Sequence, residues 1–333
     1  MNRDVDCRVG DAVGNQLMSD PVLTVIAIVG RQRGRVEACL RSLLAQNAAP
    51  SMEIILVDCA PAGAPPIALA DRGQVRVLRG PPGREFGEMR ALAVHEARAP
   101  IVAFIEEHCV AHPGWTEAIL AGHAEGWSGV GGEIHNGNPG CGLSDVILAI
   151  SFAPWMAPAS RGAQVLLPGN NTSYKRDVLL RFGGELARLL LTEPLLQWRL
   201  AAEGERLLLE PRMRFSHTNE TRLTTICRGF YLWNRCFGAA RADLLRWSWG
   251  HRVARLLAAP LVPWVRAARL VAFGVRRRRD LLGRFVRALP AVIIAESYAI
   301  TGQIAGMLMG PGTAPVQFVD YEVGSYRTPG DLA

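Results

Sequence analysis

The feature that most constrains this chain is a serial alternation of short, apolar, β-rich runs with helices of about a dozen residues. Val22–Val29 is a continuous β-branched run ending at Gly30, and Arg35–Gln46 follows with Val36, Cys39, Leu40, Leu43 and Leu44 at helical spacing. Glu53–Asp58 is a second buried strand that closes on an acid before the breaker-rich Ala60–Pro66, and Gln74–Leu78 makes a third. The loop Gly80-Pro81-Pro82-Gly83 leads to a helix over Phe86–Ala97, and Pro100 hands the chain to a fourth strand, Ile101–Ile105. Such alternation predicts an α/β fold with a mostly parallel sheet and helices on both faces.

The fourth strand ends abruptly in Glu106, Glu107 and His108. Ligands of open α/β sheets sit beyond the carboxyl ends of the strands, so three polar groups there suit a metal or a phosphate-bearing ligand, or else form a solvated turn. No G-x-G-x-x-G follows the first strand, which argues against a dinucleotide site. Further on, Trp115–Ala124 reads as a helix, Trp127–His135 holds a small-residue strand, and Asn136–Leu143 is a Gly/Asn/Pro loop. Val165–Arg176 passes from apolar to polar and back, as a cleft-lining segment would. Thr192-Glu193-Pro194 opens a helix running to Ala202, with Thr192 as its cap, and one or two short edge strands span Leu207–Leu209 and Met213–His217.

The chain of 333 residues has a net charge of +7, carried almost wholly by arginine, with Lys175 the only lysine. That excess points to phosphate-bearing partners. From Thr221 to Arg287 the arginines, including the run Arg276–Arg279, are opposed only by Asp243 and Asp280 and are interleaved with Phe230, Tyr231, Trp233, Phe237, Trp247, Trp249, Trp264 and Phe273. Basic amphipathic helices with aromatic side chains are expected on an anionic membrane surface, the alternative being a helical subdomain with a solvated basic face. No base-reading module or zinc spacing appears, so nucleic acid is not an expected partner. Ala288–Gly310 is long enough to cross a bilayer but carries Glu296 and Gln303, which favours a packed or interfacial helix. The 7 cysteines form no C-x-x-C pair and fit a reducing cytosol. The expected organisation is a loose lead-in over 1–20 without a signal peptide, an α/β domain over 21–220, a basic helical region over 221–310 and a loose tail over 311–333.

Over roughly Pro21–Asn219 the order of these features resembles the bacterial family 2 glycosyltransferases, which have the GT-A fold. Val25–Arg31 with Cys39–Gln46 looks like the family's first strand and helix, and Glu53–Cys59 like the strand whose terminal acid contacts the nucleoside. Arg90 stands where an arginine–asparagine pair precedes the acidic motif, Phe104–His108 matches the aspartate-rich D-x-D motif, and Phe182–Leu186 looks like the glycine pair after the acceptor loop. Thr192-Glu193-Pro194 with Trp198-Arg199 looks like the family's threonine–glutamate–aspartate block and the arginine after it. The chain departs from the pattern at Ala91, at Cys59, at Glu106-Glu107-His108 in place of aspartates, and at Pro194, where the family often has its catalytic aspartate.

The resemblance implies an inverting transfer of a sugar from a nucleoside diphosphate to a hydroxyl of a lipid-linked or polysaccharide acceptor, in polysaccharide biosynthesis, and the basic aromatic helices place it at the cytoplasmic face of the cell membrane as an expectation. It implies donor contacts from Val29, Arg31, Asp58, Arg90, Glu106 and Glu107, metal contacts from His108 and His217, and an acceptor side shaped by Asn170, Asn171, Trp198 and Arg199. Glu193 is the implied catalytic base, since a carboxylate must reach the acceptor hydroxyl. A divalent ion would neutralise the departing diphosphate, and imidazole suits Mn2+ better than Mg2+. Two other readings remain open: a catalytically weakened GT-A domain acting as a binding or assembly partner, motivated by Pro194 and the lost aspartates, and a nucleotidyltransferase, against which the missing glycine-rich, lysine-bearing phosphate loop counts.

Overall fold

The structure, a computed structural model, describes residues 20–324 and residue 330, so the expected lead-in lies outside the described residues apart from Asp20. The first half alternates β1 (Leu23–Val29), α1 (Arg33–Leu44), β2 (Met52–Asp58), β3 (Val75–Arg79), α2 (Phe86–Glu96) and β4 (Ile101–Ile105). Then come β5 (Cys109–Ala111), α3 (Trp115–Ala124), β6 (Gly129–Asn136), α4 (Ser144–Phe152), β7 (Gly162–Gln164) and β8 (Asn171–Lys175). Three short helices, α5 (Arg176–Leu180), α6 (Leu186–Leu191) and α7 (Glu193–Ala202), precede β9 (Leu207–His217).

These strands form one sheet in the order β3-β2-β1-β4-β8-β6-β9-β5, with β7 also paired to β9. The half built from β3, β2, β1 and β4 is parallel, as expected. The other half is mixed, because β8 runs antiparallel to both β4 and β6 while β6 and β9 are parallel. Apolar periodicity marks a buried strand but carries no direction, so the alternation could not reveal this. Nor is the last strand an edge: β9 lies between β6 and β5 and continues through Pro211. Its register against β6 shifts between Gly132 and Glu133, and the irregularity absorbs a proline that cannot donate to the ladder.

The continuous apolar run of β1 is explained by burial on both faces. Leu23, Val25, Ala27 and Val29 pack with Val36, Leu40 and Leu43 of α1, whereas Ile26 and Ile28 pack with Phe86, Met89 and Val94 of α2. Beyond the sheet, α8 (Leu223–Leu244), α9 (Trp249–Ala258), α10 (Val262–Arg277), α11 (Leu282–Arg287) and α12 (Leu289–Met309) make the helical region. Helices α8 and α12 pack almost backbone to backbone: a Cβ on Gly302 would lie 2.3 Å from the Tyr231 carbonyl oxygen, and one on Gly306 2.1 Å from that of Arg235. Trp249–Arg277 and Leu289–Met309 are long and apolar enough to cross a membrane, but 44 % of the apolar window is buried in the second against 17 % in the first. The second is thus the packed helix, and the first leaves its apolar face outward.

The tail expected to be loose instead contains α13 (Ala314–Val323). Pro315 falls in the first turn, where a missing N–H costs nothing, so the breakers of Pro311–Pro315 start this helix. Its last turn is held by burial of Tyr321 and Val323, by the Tyr321 hydroxyl donating to Glu220 at 2.7 Å, and by the Val323 carbonyl accepting from Arg31 N–H at 2.9 Å.

Candidate active site

Because β1, β2 and β4 are parallel, their carboxyl ends share one edge of the sheet, where antiparallel β8 begins and β9 ends. The β4–β8 register pairs Ile105 with Asn171, and the β5–β9 register pairs Cys109 with His217. Glu106, His108, Asn170 and His217 meet there. Glu106 Oε2 lies 3.3 Å from His108 Nε2 and 3.4 Å from His217 Nε2, and the two ring nitrogens are 3.0 Å apart. Donors bound to one ion at about 2.0–2.2 Å stand about 3.0–3.5 Å from one another at octahedral or tetrahedral angles. The three atoms therefore have the spacing of a divalent-metal site, and Cys109 completes a group whose ligand atoms all lie within 4.8 Å of one another.

The supporting residues fit that role. His217 Nδ1 donates to Asn219 Oδ1 at 2.8 Å, which orients the ring with Nε2 toward Glu106 and His108. Asn219 is in turn fixed by Asn136 Oδ1 and Asn138 Oδ1. Burial would raise the pKa of Glu106, but the hydrogen bonds and charge of His108 and His217 outweigh it and hold the carboxyl well below the usual range. Asn170 Nδ2 donates to Glu106 Oε2 at 3.1 Å, while Asn170 Oδ1 is buried with no hydrogen-bond partner.

Glu193 opens onto the same space. A cavity of about 390 Å³ is lined by Glu106, Asn170 and His217 on one side and by Arg90 and Glu193 on the other. Arg90 forms an ion pair with Glu193, donates to the Leu190 carbonyl at 3.1 Å and lies 5.7 Å from the Phe86 and Phe104 ring centres. Burial opposes the charge on Arg90, yet the carboxylates of Glu193 and Glu106 hold the guanidinium above its ordinary value. A Cβ on Gly169 would lie 2.4 Å from Glu193 Cδ, so a larger residue there would displace the Glu193 carboxylate.

Several residues expected at the site are placed elsewhere. Glu107, in the turn after β4, points to the α1 side and accepts from Gly30 N–H at 2.7 Å and from Arg35 at 2.6 Å, so it shapes the loop after β1. The side chain of Val29 is core, and its carbonyl accepts from Cys59 N–H. Arg31 is exposed and meets the C-terminal helix through its backbone. Asp58 is at the strand end but is held by Arg33 at 3.0 and 2.9 Å. Asn171 is wholly buried, bonding Trp115 Nε1 at 2.8 Å and the Met213 carbonyl at 3.1 Å. Trp198 packs on Phe237 and Arg241, and Arg199 faces Glu185 and the Phe182 ring. At about 100° per residue, positions five and six along a helix from Glu193 point about 140° and 240° away from it, so α7 lines the cavity through Glu193 and Pro194 and not through Trp198 or Arg199. Arg33, Cys109, Gly169 and Asn219 carried no sequence signal beyond position, although the two-residue spacing from His217 to Asn219 could have marked the latter as its partner.

Residues 24–165 match the family model described as glycosyl transferase family 2. No curated protein matches the chain. Among solved structures, a mannosyltransferase from Pyrobaculum calidifontis in complex with GDP-Man and Mn2+ is 16 % identical with a TM-score of 0.54, over 87 % of this chain and 88 % of that one. GalNAc-T7 with UDP, GalNAc and Mn2+ is 13 % identical with a TM-score of 0.46, over 60 % of this chain and 43 % of that one. The first of these likenesses shows a GT-A-like fold extending over most of the chain.

Proposed function

We propose that this chain, a glycosyltransferase by its family 2 domain, moves a sugar from a nucleoside diphosphate to a hydroxyl of a lipid-linked or polysaccharide acceptor, with inversion, at the cytoplasmic face of a membrane. The observation that carries the donor half is the cluster of Glu106, His108 and His217 at the carboxyl edge of the sheet, facing Arg90 and Glu193 across one cavity. A divalent ion bound to that cluster would neutralise charge developing on the departing diphosphate. Two imidazoles favour Mn2+ over Mg2+, and Mn2+ is the ion in the mannosyltransferase structure.

The chain's own residues supply the rest. Arg90, buried beneath Phe86 and Phe104, is a fixed cation beside the cluster. Its ion pair with Glu193 occupies that carboxylate. A donor diphosphate that draws Arg90 toward itself frees Glu193 to accept the acceptor's proton, so that the base is released only when donor is present. Pro194 fixes the start of α7 and leaves Glu193 as the carboxylate of this block.

The membrane half rests on α9, α10 and the residues that join and follow them, where Trp249, Leu257, Leu261 and Trp264 are 71, 74, 65 and 62 % exposed and Arg276, Arg277 and Arg279 are exposed as well. Phe230, Trp233 and Phe237, read from sequence as candidates for the same surface, face inward to the cavity instead.

The test compares the wild type with Glu193→Gln and with His217→Ala in the presence of Mn2+. Turnover of a donor sugar nucleotide is expected to fall by about 10²–10⁴-fold in Glu193→Gln with nucleotide binding retained, and His217→Ala is expected to lose the Mn2+-dependent part of nucleotide binding. Wild type and variant both binding nucleotide with no turnover of any donor would leave a binding domain in place of an enzyme.

A further inference from the structure

The cavity that holds Glu106 and Glu193 does not end with them. From that polar end it continues between α4 and α8, past Ile147, Ile150, Phe230, Trp233 and Phe237, and reaches Arg266 of α10 and Glu296 of α12. Its volume of about 390 Å³ is that of a small-molecule site, and such sites are largely apolar with a few polar groups that fix orientation. At the catalytic end Asn170 Oδ1 is buried without a partner, whereas Asn234 and Gln303, which line the helical part, are bonded to each other at 2.9 Å. Toward the other end the charges of Arg266 and Glu296 are matched to each other as an ion pair.

We infer that this cavity is the acceptor site and that it takes an amphiphile: one apolar chain between α4 and α8, with an oxygen-bearing head at Glu106 and Glu193. The inference rests on the glycosyltransferase reading and narrows it from lipid or glycan to a single-chain lipid. A hydrophilic glycan would leave most of its hydroxyls facing Ile147, Ile150 and Phe230, with hydrogen bonds to water broken and not replaced. The inner wall and the outer apolar face also belong to the same element, since Arg266 lines the cavity two residues from Trp264, which is 62 % exposed. A helix lying on a lipid surface through Trp264 therefore brings this wall to the source of such an acceptor. In the transfer, the acceptor oxygen bonds the anomeric carbon as that carbon's bond to the diphosphate oxygen breaks. The diphosphate leaves with the electron pair, and a hydroxyl proton passes to Glu193.

The experiment measures binding of straight-chain and isoprenoid alcohols, and of their monophosphates, to the full-length protein by tryptophan fluorescence, Trp155 and Trp233 both lining the cavity. Affinity is expected to tighten by up to about fourfold per methylene until the chain fills the space, from about 0.8 kcal/mol per buried CH₂. The two series separate a hydroxyl head from a phosphate head. Ile150→Trp, which fills the cavity away from Glu193, is expected to weaken amphiphile binding at least tenfold while the thermal shift given by nucleoside diphosphates stays as in wild type. Affinity independent of chain length in the wild type overturns the proposal without recourse to any variant. If nucleotides stabilise the protein and no amphiphile binds, the acceptor inference alone fails. If amphiphiles bind with chain-length dependence and no nucleotide does, the glycosyltransferase reading fails instead.

Discussion

At the scale of single residues, the chemistry of a side chain was legible from sequence while its direction was not. Glu106, His108 and His217 carried their signal in residue type and in position at strand ends, and the fold brings them within 3.0–3.4 Å of one another. Glu107 and Asn171 have the same kind of signal and are engaged elsewhere, Glu107 by Gly30 N–H and Arg35 from the turn after β4 and Asn171 by Trp115 and the Met213 carbonyl within the sheet. A histidine outside the site makes the cost of such placement measurable. His123 is buried between the Trp127 carbonyl at 3.0 Å and Ser173 Oγ at 2.9 Å, and burial lowers its pKa to about 4. The unfolded chain takes up a proton near the ordinary value of about 6.5, so between those values the unfolded state binds more protons. Its contribution is complete above about pH 6.5 and is lost as pH falls toward 4, for roughly 3 kcal/mol at most. The thermal midpoint of the wild type is expected to fall across that window, and His123→Gln to show a shallower pH slope there; equal slopes would mean other groups dominate.

At the scale of elements, the sequence showed where strands and helices lie more clearly than how they are joined. The alternation gave β1 to β4 almost to the residue, because β1, β2 and β4 are short runs buried on both faces and β3, at the sheet edge, is a short run beside them. It could not show the reversal at β8 or the interior place of β9, since strand order depends on pairings distant along the chain. Composition likewise misjudged α13, where Pro and Gly precede a helix held by long-range contacts from Tyr321 and Val323. The packing of α12 on α8 offers a direct check. With the Arg235 carbonyl oxygen only 2.1 Å from where a Cβ would sit, Gly306→Ala must push the two helices apart, at about 1–3 kcal/mol. A thermal midpoint several degrees below wild type is expected, and an unchanged midpoint would show that the seam can slide without loss.

At the scale of the whole molecule, the α/β part and the helical region share the cavity, so the chemistry of one and the surface of the other are mechanically joined. A net charge of +7, with Arg276, Arg277 and Arg279 exposed, gives the proposed membrane contact an electrostatic component that salt must weaken. Vesicles containing anionic lipid are expected to sediment the full-length protein at low ionic strength and to release it in part as salt rises. Neutralising Arg276–Arg279 should remove the salt-sensitive fraction and leave the part due to Trp249, Leu257, Leu261 and Trp264; salt-dependent binding that survives the substitution would place the charge contact elsewhere. The junction between Val323 and Arg31 bears on timing. Synthesis proceeds from the N-terminus, yet the loop after β1 meets its partner only once α13 has been made. A nascent chain can thus assemble every strand of its sheet and still lack one side of the pocket at Glu322 and Val323.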